Sequence, residues 1–188
     1  MILKNETLTL PEGQFTTEIM QFENSDKELL FKIYNDWRQL CNNLSLVGAR
    51  GVNLPEGLSE SAFCIEMNAV RTTNGIKGKV NTSFDAYDLI TKKRIQVKAC
   101  SVLPDLTSFG PKSVWDQIYF VDFYRQGNWD GTFDIYLIDT NDIYNFKVNA
   151  TETMRQQQQQ KRRPRFSIYK GIIEAKELKP VKTGDLSK

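Results

Sequence analysis

The sequence contains no histidine among its 188 residues. This absence excludes Ser-His-Asp and Cys-His nucleophilic sites, zinc sites that contain histidine, and every mechanism in which an imidazole acts as the base. Any chemistry that the protein performs must therefore depend on carboxylates, lysine, amides or a hard metal ion.

Cysteine is scarce, and long apolar runs are missing. The chain has three cysteines, Cys41, Cys64 and Cys100, and their spacings are unlike those of a pair of metal ligands. The odd number and these spacings indicate reduced thiols rather than a disulfide framework. No apolar run approaches the roughly 18 residues that a membrane-spanning helix needs. The N-terminus lacks the basic start and apolar stretch of a signal peptide. We therefore expect a cytoplasmic protein.

The composition is that of a soluble globular protein, with 40% hydrophobic, 11% aromatic and 26% charged residues. The length predicts a single domain over residues 1–188. We divide it into four segments by their patterns. They are an arm or edge strand at 1–24, a central segment at 25–140, a C-terminal segment at 141–175 and a basic tail at 176–188.

The positive charge is concentrated at the C-terminal end of the chain. Residues 155–188 contain ten basic and three acidic side chains, a net +7, so the preceding residues carry −5 of the total of +2. A basic end is typical of a protein that contacts a polyanion, and the acidic remainder can hold divalent cations. The alternative is a basic terminus that is merely solvated.

Two helices are predicted in the N-terminal half. The first begins at Ser25, the expected N-cap, and its apolar residues recur at intervals of three and four. These residues are Leu29, Leu30, Ile33, Trp37 and Leu40. The second begins near Asn53, which forms a capping box with Glu56, and runs to about Arg71. Glu60 lies on a line of this helix that is otherwise apolar.

Four strands are predicted in the centre of the chain, each a run of β-branched and aromatic residues between turn signals. They are residues 81–89, 94–102, 117–124 and 132–139. The first two form a hairpin that turns around Thr91 and Lys92, and the loop TTNGIKGK at 72–79 precedes them.

The C-terminal quarter has a mixed pattern. We predict a short strand at 143–149, a helix with a polar surface at 150–163 and a further strand at 166–173. The five successive glutamines are a short low-complexity tract.

The predicted hairpin brings Asp85, Gln96 and Lys98 together. Side chains alternate along a strand, so Gln96 and Lys98 share one face while Val97 points away. With a two-residue turn, Asp85 lies opposite Lys98, and a longer loop would shift this pairing.

This grouping suits the hydrolysis of a phosphodiester, which needs a neutralised phosphate and an aligned, activated water. Asp85, the backbone carbonyl of Val97 and Glu60 are the candidate ligands of a magnesium ion. Lys98 can align the water, stabilise negative charge or take the proton. Gln96 offers a neutral oxygen where a second carboxylate is usual. The same residues also fit an ordinary exposed strand beside a partly solvated helix.

Between Arg50 and Ile172, the sequence resembles the type II restriction endonucleases of the Bsp6I type, within the PD-(D/E)xK nuclease superfamily. The blocks that carry the resemblance are RGVNLPEGLSESAFC, SFDAYDL, RIQVKACSV, DLTSFGPKSVWDQIYF, DGTFDIYLI and RQQQQQKRRPRFSI. The superfamily motif departs from its usual form at two positions, since Phe84 replaces a proline and Gln96 replaces an acidic residue.

The resemblance implies an α/β, restriction-endonuclease-like fold, in which helices flank a mixed β-sheet. It also implies cleavage of double-stranded DNA that depends on Mg²⁺, with Mn²⁺ as a substitute, at a short palindrome such as G-C-N-G-C. A homodimer would cut both strands, because a two-fold target suits a two-fold protein. The expected setting is a prokaryotic cytoplasm, with a cognate DNA methyltransferase that acts on the same site.

We therefore expect residues 25–140 to be the catalytic core and residues 141–175 to be the DNA-reading segment. Donors that can read bases are concentrated after Met154. The candidates are Arg155, Gln156, Gln159, Lys161, Arg162, Arg163 and Arg165. Arginine is the best reader of guanine in the major groove, and glutamine or asparagine the best reader of adenine. Ser108 and Lys112, in a loop, are candidates for contact with the DNA backbone near the scissile phosphate. The alternative for each basic residue is a contact with phosphate alone.

Two other functions fit the same features. One is a DNA-binding module whose metal site has decayed at Gln96. The other is a nuclease for branched or mismatched DNA, which would act in repair or at junctions.

Overall fold

The computed structural model describes residues 1–73 and 83–188. Its strands are β1 (Ile2–Leu10), β2 (Gly13–Gln21), β3 (Val70–Thr72), β4 (Ala86–Asp88), β5 (Lys93–Cys100), β6 (Thr107–Ser108), β7 (Gln117–Asp122), β8 (Thr132–Ile138), β9 (Arg165–Phe166) and β10 (Lys182–Asp185). Its α-helices are α1 (Lys27–Leu46), α2 (Glu56–Met67), α3 (Thr140–Asn145) and α4 (Met154–Gln159), and a π-helical segment spans Tyr169–Glu174. Most of the loop expected at 72–79, and the first residues of the predicted hairpin, lie outside the described residues.

Eight of these strands form one mixed sheet in the order β1-β2-β3-β4-β5-β7-β8-β10. Neighbouring strands are antiparallel except for β5 and β7, which run parallel. β6 and β9 form a separate two-stranded sheet. The expected mixed sheet with flanking helices is confirmed at this level of description.

The sheet has a hydrophobic core on each side, as expected for a sheet covered on both faces. On one side, α1 and α2 pack against strand residues such as Val97 and Phe133. On the other, the chain around β6, α3, α4 and β9 packs against residues such as Phe120 and Ile138. None of the helices in the described ranges is long and apolar enough to cross a membrane.

The first helix is present, but its buried face differs from the predicted one. A short 3-10 turn, Asn24–Asp26, precedes α1, so Ser25 is not its N-cap. The buried positions are Leu30, Tyr34 and Trp37, whereas three of the five expected core residues are exposed. They are Leu29, Ile33 and Leu40. The periodicity of apolar residues predicts the helix, whereas contacts with the rest of the core determine which of its faces is buried.

The second helix is shorter than predicted. It begins at Glu56 after Pro55, without a side-chain cap, so the expected box between Asn53 and Glu56 does not form. Asn68 adopts the left-handed conformation and ends the helix, and the chain enters β3 two residues later. Asparagine tolerates this conformation better than most residues, which makes it an effective helix stop.

The C-terminal third departs furthest from the sequence interpretation. The strand expected at 143–149 is wrong, since α3 occupies Thr140–Asn145 after Asp139 caps it. The helix expected at 150–163 spans only Met154–Gln159, and most of the strand expected at 166–173 is the π-helical segment. The region described above as a basic tail contributes β10, which pairs with β8. Short apolar runs fit a strand and a buried helical turn equally well.

Candidate active site

The hairpin that carries the candidate residues forms with a different register. Ala86 pairs with Ile95 and Asp88 with Lys93, which leaves a four-residue connection and sets Asp85 opposite Gln96, not Lys98. The Asp88 side chain accepts hydrogen bonds from the amides of residues 90 and 91 and so stabilises the longer turn. Because the shift is two residues, the facing of the side chains is preserved.

The Asp85 carboxylate is held by two donors from β5. It accepts a hydrogen bond from the Val97 backbone amide at 2.8 Å and another from the side-chain amide of Gln96. Gln96 is 2% exposed. Burial raises the pKa of Asp85 to about 6, against the opposing effects of the Lys98 charge and the Val97 hydrogen bond. In this structure, the Gln96 side chain thus meets Asp85 through its amide donor.

Glu60 projects from α2 toward the same place. It is 5% exposed, and Arg71 of β3 donates from Nε to its Oε2 at 2.5 Å. Burial, followed by the charge of Asp85, raises the pKa of Glu60 to about 7, although Arg71 acts in the opposite direction. An otherwise covered helix thus presents a carboxylate to a second carboxylate from the sheet.

Glu56 is a third member of this group, and sequence reasoning missed it. One carboxylate oxygen from each of Glu56, Glu60 and Asp85 lies within 4.8 Å of the others. The signal was available, because residues four positions apart lie on the same face of a helix. The interpretation of Glu56 as a helix cap concealed it.

The group opens onto a pocket of about 460 Å³. Glu56, Glu60, Lys98 and Ser108 are among its lining residues. Lys98 Nζ lies 5.9 Å from the ring centre of Phe109, the residue that follows the lining residue Ser108. The structure therefore places a cation and two of the three carboxylates around one opening.

The donor set fits a hard divalent cation. The charge of Glu56 raises the pKa of both Glu60 and Asp85, and the charge of Asp85 also raises that of Glu60, so a bound divalent cation would relieve repulsion within the group. The amide and carbonyl of one strand residue point to the same strand edge, so the Val97 carbonyl faces the side on which its amide meets Asp85. An acidic cluster that can hold metal is thus present, whereas nothing in it selects the identity of the ion.

The candidate DNA-contact residues differ in how far they are already engaged. Arg155 lies over the Tyr144 ring at 4.4 Å, Gln156 completes a capping box with Thr153, and Arg162 pairs with Glu152 at 2.9 Å. The side chains of the remaining candidates are exposed and make no hydrogen bond or ion pair with other described residues. They are Gln159, Lys161, Arg163 and Arg165.

The two loop candidates belong to the segment that connects β5 to β7. Ser108 lines the pocket, and its Oγ is buried with no hydrogen-bond partner among residues 1–73 and 83–188. Lys112 is exposed, and its carbonyl accepts from Ser83, two residues before Asp85. Both positions therefore belong to one segment that borders the acidic group.

Comparisons with known proteins agree with the resemblance. The family model described as Bsp6I restriction endonuclease matches residues 22–175. The type II restriction enzyme Bsp6I of Bacillus sp. (strain RFL6) is 35% identical over 167 residues, which cover 87% of this chain and 90% of that enzyme. No solved structure matches. The chain belongs to the Bsp6I family of type II restriction endonucleases.

Proposed function

We propose that the protein is a homodimer that hydrolyses phosphodiester bonds of double-stranded DNA at a short palindromic site, and that this hydrolysis depends on Mg²⁺. The observation that carries this proposal is the group formed by Glu56, Glu60 and Asp85 beside Lys98 at an open pocket. It provides carboxylate oxygens for a hard cation next to the amino group of a lysine side chain.

Each residue has a separate role in this proposal. Asp85, Glu60 and Glu56, with the Val97 carbonyl, would hold the ion, and Mn²⁺ would substitute for Mg²⁺. When bound, the ion would supply Lewis-acid stabilisation of the phosphate charge and a low-pKa water. Lys98 stabilises negative charge on the phosphate and orients the attacking water. Gln96 keeps Asp85 in position through its amide donor.

The departure at Gln96 does not weaken this proposal. A decayed site would lack the carboxylates needed for a divalent cation, yet α2 supplies Glu56 and Glu60 where β5 carries an amide. The number of acidic groups at the site is therefore restored from another element. This favours a catalytic protein over a non-catalytic DNA-binding module.

DNA contact is assigned to the basic segment that follows α4. Arg163, Arg165 and Lys161 project from it without internal partners among the described residues, so their charges are free to meet phosphates or guanine edges. A palindrome read by a two-fold dimer would place one such segment on each half-site. The candidate sequence is G-C-N-G-C, and a methyltransferase of the same specificity would protect the host.

Digestion of plasmid DNA tests the function. With Mg²⁺, the protein should give discrete fragments, and a chelator should abolish them. Sequencing of the fragment ends would give the site and the cut position. A random smear, a preference for branched DNA, or no cleavage in either Mg²⁺ or Mn²⁺ would contradict the proposal.

A further inference from the structure

The part of the pocket wall formed by residues 105–108 is bonded to the segment assigned to DNA contact. Residues 105–108 line the pocket together with Glu60 and Lys98. Strand β6 lies within this wall and pairs with β9, so that Ser108 lies opposite Arg165. The backbone amide of Phe109 also donates to the Pro164 carbonyl at 3.1 Å. The segment at 163–165, which would contact DNA, is thus connected to the pocket lining by backbone hydrogen bonds.

A buried carboxylate joins the same two segments below this ladder. Asp105 is 6% exposed and accepts from the Ser167 hydroxyl, from the Ile168 amide at 2.9 Å and from the Tyr169 amide at 3.1 Å. The Phe109 and Phe166 rings stack across the ladder at 5.3 Å. The wall and the start of the π-helical segment are therefore joined by both hydrogen bonds and ring contacts.

One glutamine of the polyglutamine tract completes the attachment. Gln158 Nε2 donates to the carbonyls of Gly110 and Ser113 at 3.0 and 3.2 Å. The other members of the tract are engaged elsewhere or exposed: Gln156 caps α4, and Gln157 and Gln160 contact Glu152. Within the tract, this single side chain holds the loop at 110–113.

The far side of that loop reaches the chain that carries Asp85. Ser83 Oγ accepts from the Val114 amide at 3.0 Å and lies two residues before Asp85. A continuous path of hydrogen bonds and backbone therefore runs from α4 through the loop at 110–114 to the acidic group. Contiguous contacts of this kind can carry energetic coupling between two sites.

We propose that Gln158 is a positioning residue that couples DNA recognition by the segment at 159–165 to cleavage, by holding the 110–113 loop against the catalytic group. This inference rests on the proposed function and adds to it a role for one internal residue. Correct contacts by Lys161, Arg163 and Arg165 set the position of α4, and Gln158 passes that position to the loop. Gln158 itself touches neither DNA nor the reacting atoms.

Two substitutions of Gln158 test this coupling, with a matched control on another helix. Gln158→Met keeps the length of the side chain and removes both hydrogen bonds. Gln158→Glu keeps the size and polarity of the side chain but sets a carboxylate against two carbonyl oxygens. Because the two substitutions differ in polarity, we expect at least one variant to keep the fold, and its melting temperature checks this. Gln39→Met changes an exposed residue of α1 and should behave as the parent does.

The readouts separate coupling from general damage. Single-turnover cleavage in Mg²⁺ is measured on a duplex with the site found by fragment-end sequencing and on a duplex with one base pair of it changed. Binding is measured in Ca²⁺ without cleavage. Both Gln158 variants should lose about tenfold in rate on the correct site, with unchanged affinity and an unchanged rate on the altered site.

Three results would overturn this role. They are a parental rate on the correct site, an equal loss of rate on both duplexes, or a loss of affinity that accounts for the loss of rate. If the parent protein cleaves no duplex, the proposed function is overturned as well. If the parent cleaves and the Gln158 variants cleave at the same rates as the parent, only the coupling is overturned.

Discussion

Glu60 of α2 and Asp85 beside β5 present carboxylate oxygens within 4.8 Å of each other, although 24 residues separate them in the chain. Glu60 is buried and Asp85 is half-buried, and loss of hydration raises their pKa values to about 7 and about 6, respectively. Two neighbouring carboxyl groups that resist ionisation require either protons or a cation. This competition gives the site its expected dependence on pH and on metal.

The stability of the metal-free protein should fall as the pH rises from 5 to 8. The folded-state pKa of both carboxyls lies above the ordinary values of 3.8 and 4.5, so the folded protein binds more protons than the unfolded chain. The stability that this provides is complete below about pH 4 and is lost as the pH rises through about 6 and 7. Thermal melts across this range, compared between the parent and Glu60→Gln, measure the effect. An equal dependence in both proteins would contradict it.

Divalent metal should reverse that loss. Mg²⁺ binds the ionised carboxylates and not the protonated ones, so it should raise the melting temperature more at pH 8 than at pH 5.5. Glu56→Gln should weaken this stabilisation by removing one candidate ligand, whereas Glu28→Gln, on the exposed surface of α1, should not. Equal stabilisation of both variants would exclude Glu56 from the metal site.

Loss of Arg71 should destabilise the protein and shift its response to metal. Arg71 lowers the pKa of Glu60, so Arg71→Met should raise that pKa and move the midpoint of metal stabilisation to higher pH. Arg71 is partly exposed, so we expect a loss of about 2 kcal/mol, less than for a fully buried pair. The double variant with Glu60→Gln should recover much of this loss in urea denaturation. If it recovers none, Arg71 acts through other contacts.

Two neighbouring arginines should contribute unequally to DNA binding. The Arg162 charge is paired with Glu152, whereas Arg163 has no ion pair within the described chain. Arg163→Ala should therefore reduce the slope of log affinity against log salt by about 0.9 for one phosphate contact, and Arg162→Ala by less. Anisotropy titrations of a labelled duplex in Ca²⁺, at several salt concentrations, give both slopes. A larger effect of Arg162→Ala would reverse the assignment.

The shared facing of Asp85, Gln96 and Lys98 could be predicted from sequence because it depends only on the two-residue period of a strand. The register could not, since the four-residue turn is stabilised by the side chain of Asp88 and has no strong sequence signature. A shift of two residues preserves the facing, whereas a shift of one would have destroyed it.

Other parts of the fold depend on tertiary contacts that a local pattern does not contain. The face of α1 is chosen by packing of Tyr34 and Trp37 on the core, and Asn68 ends α2 through a left-handed conformation. The sequence pattern around Asn53 predicts that Glu56 caps the N-terminus of α2, whereas in the structure Glu56 lies beside two other carboxylates. The candidate site combines residues from three elements, and their proximity becomes visible only when these elements pack together.

The most direct test of the account is the effect of Asp85→Asn and Lys98→Ala on cleavage and binding, measured in parallel on the same duplex. Asp85→Asn keeps the shape of the side chain but removes the charge that would hold a cation, and Lys98→Ala removes the cation at the pocket wall. Each should lower the single-turnover rate in Mg²⁺ by about 10²-fold or more while affinity in Ca²⁺ changes little. Cleavage by either variant at the parental rate would contradict the assignment of this group as the catalytic centre.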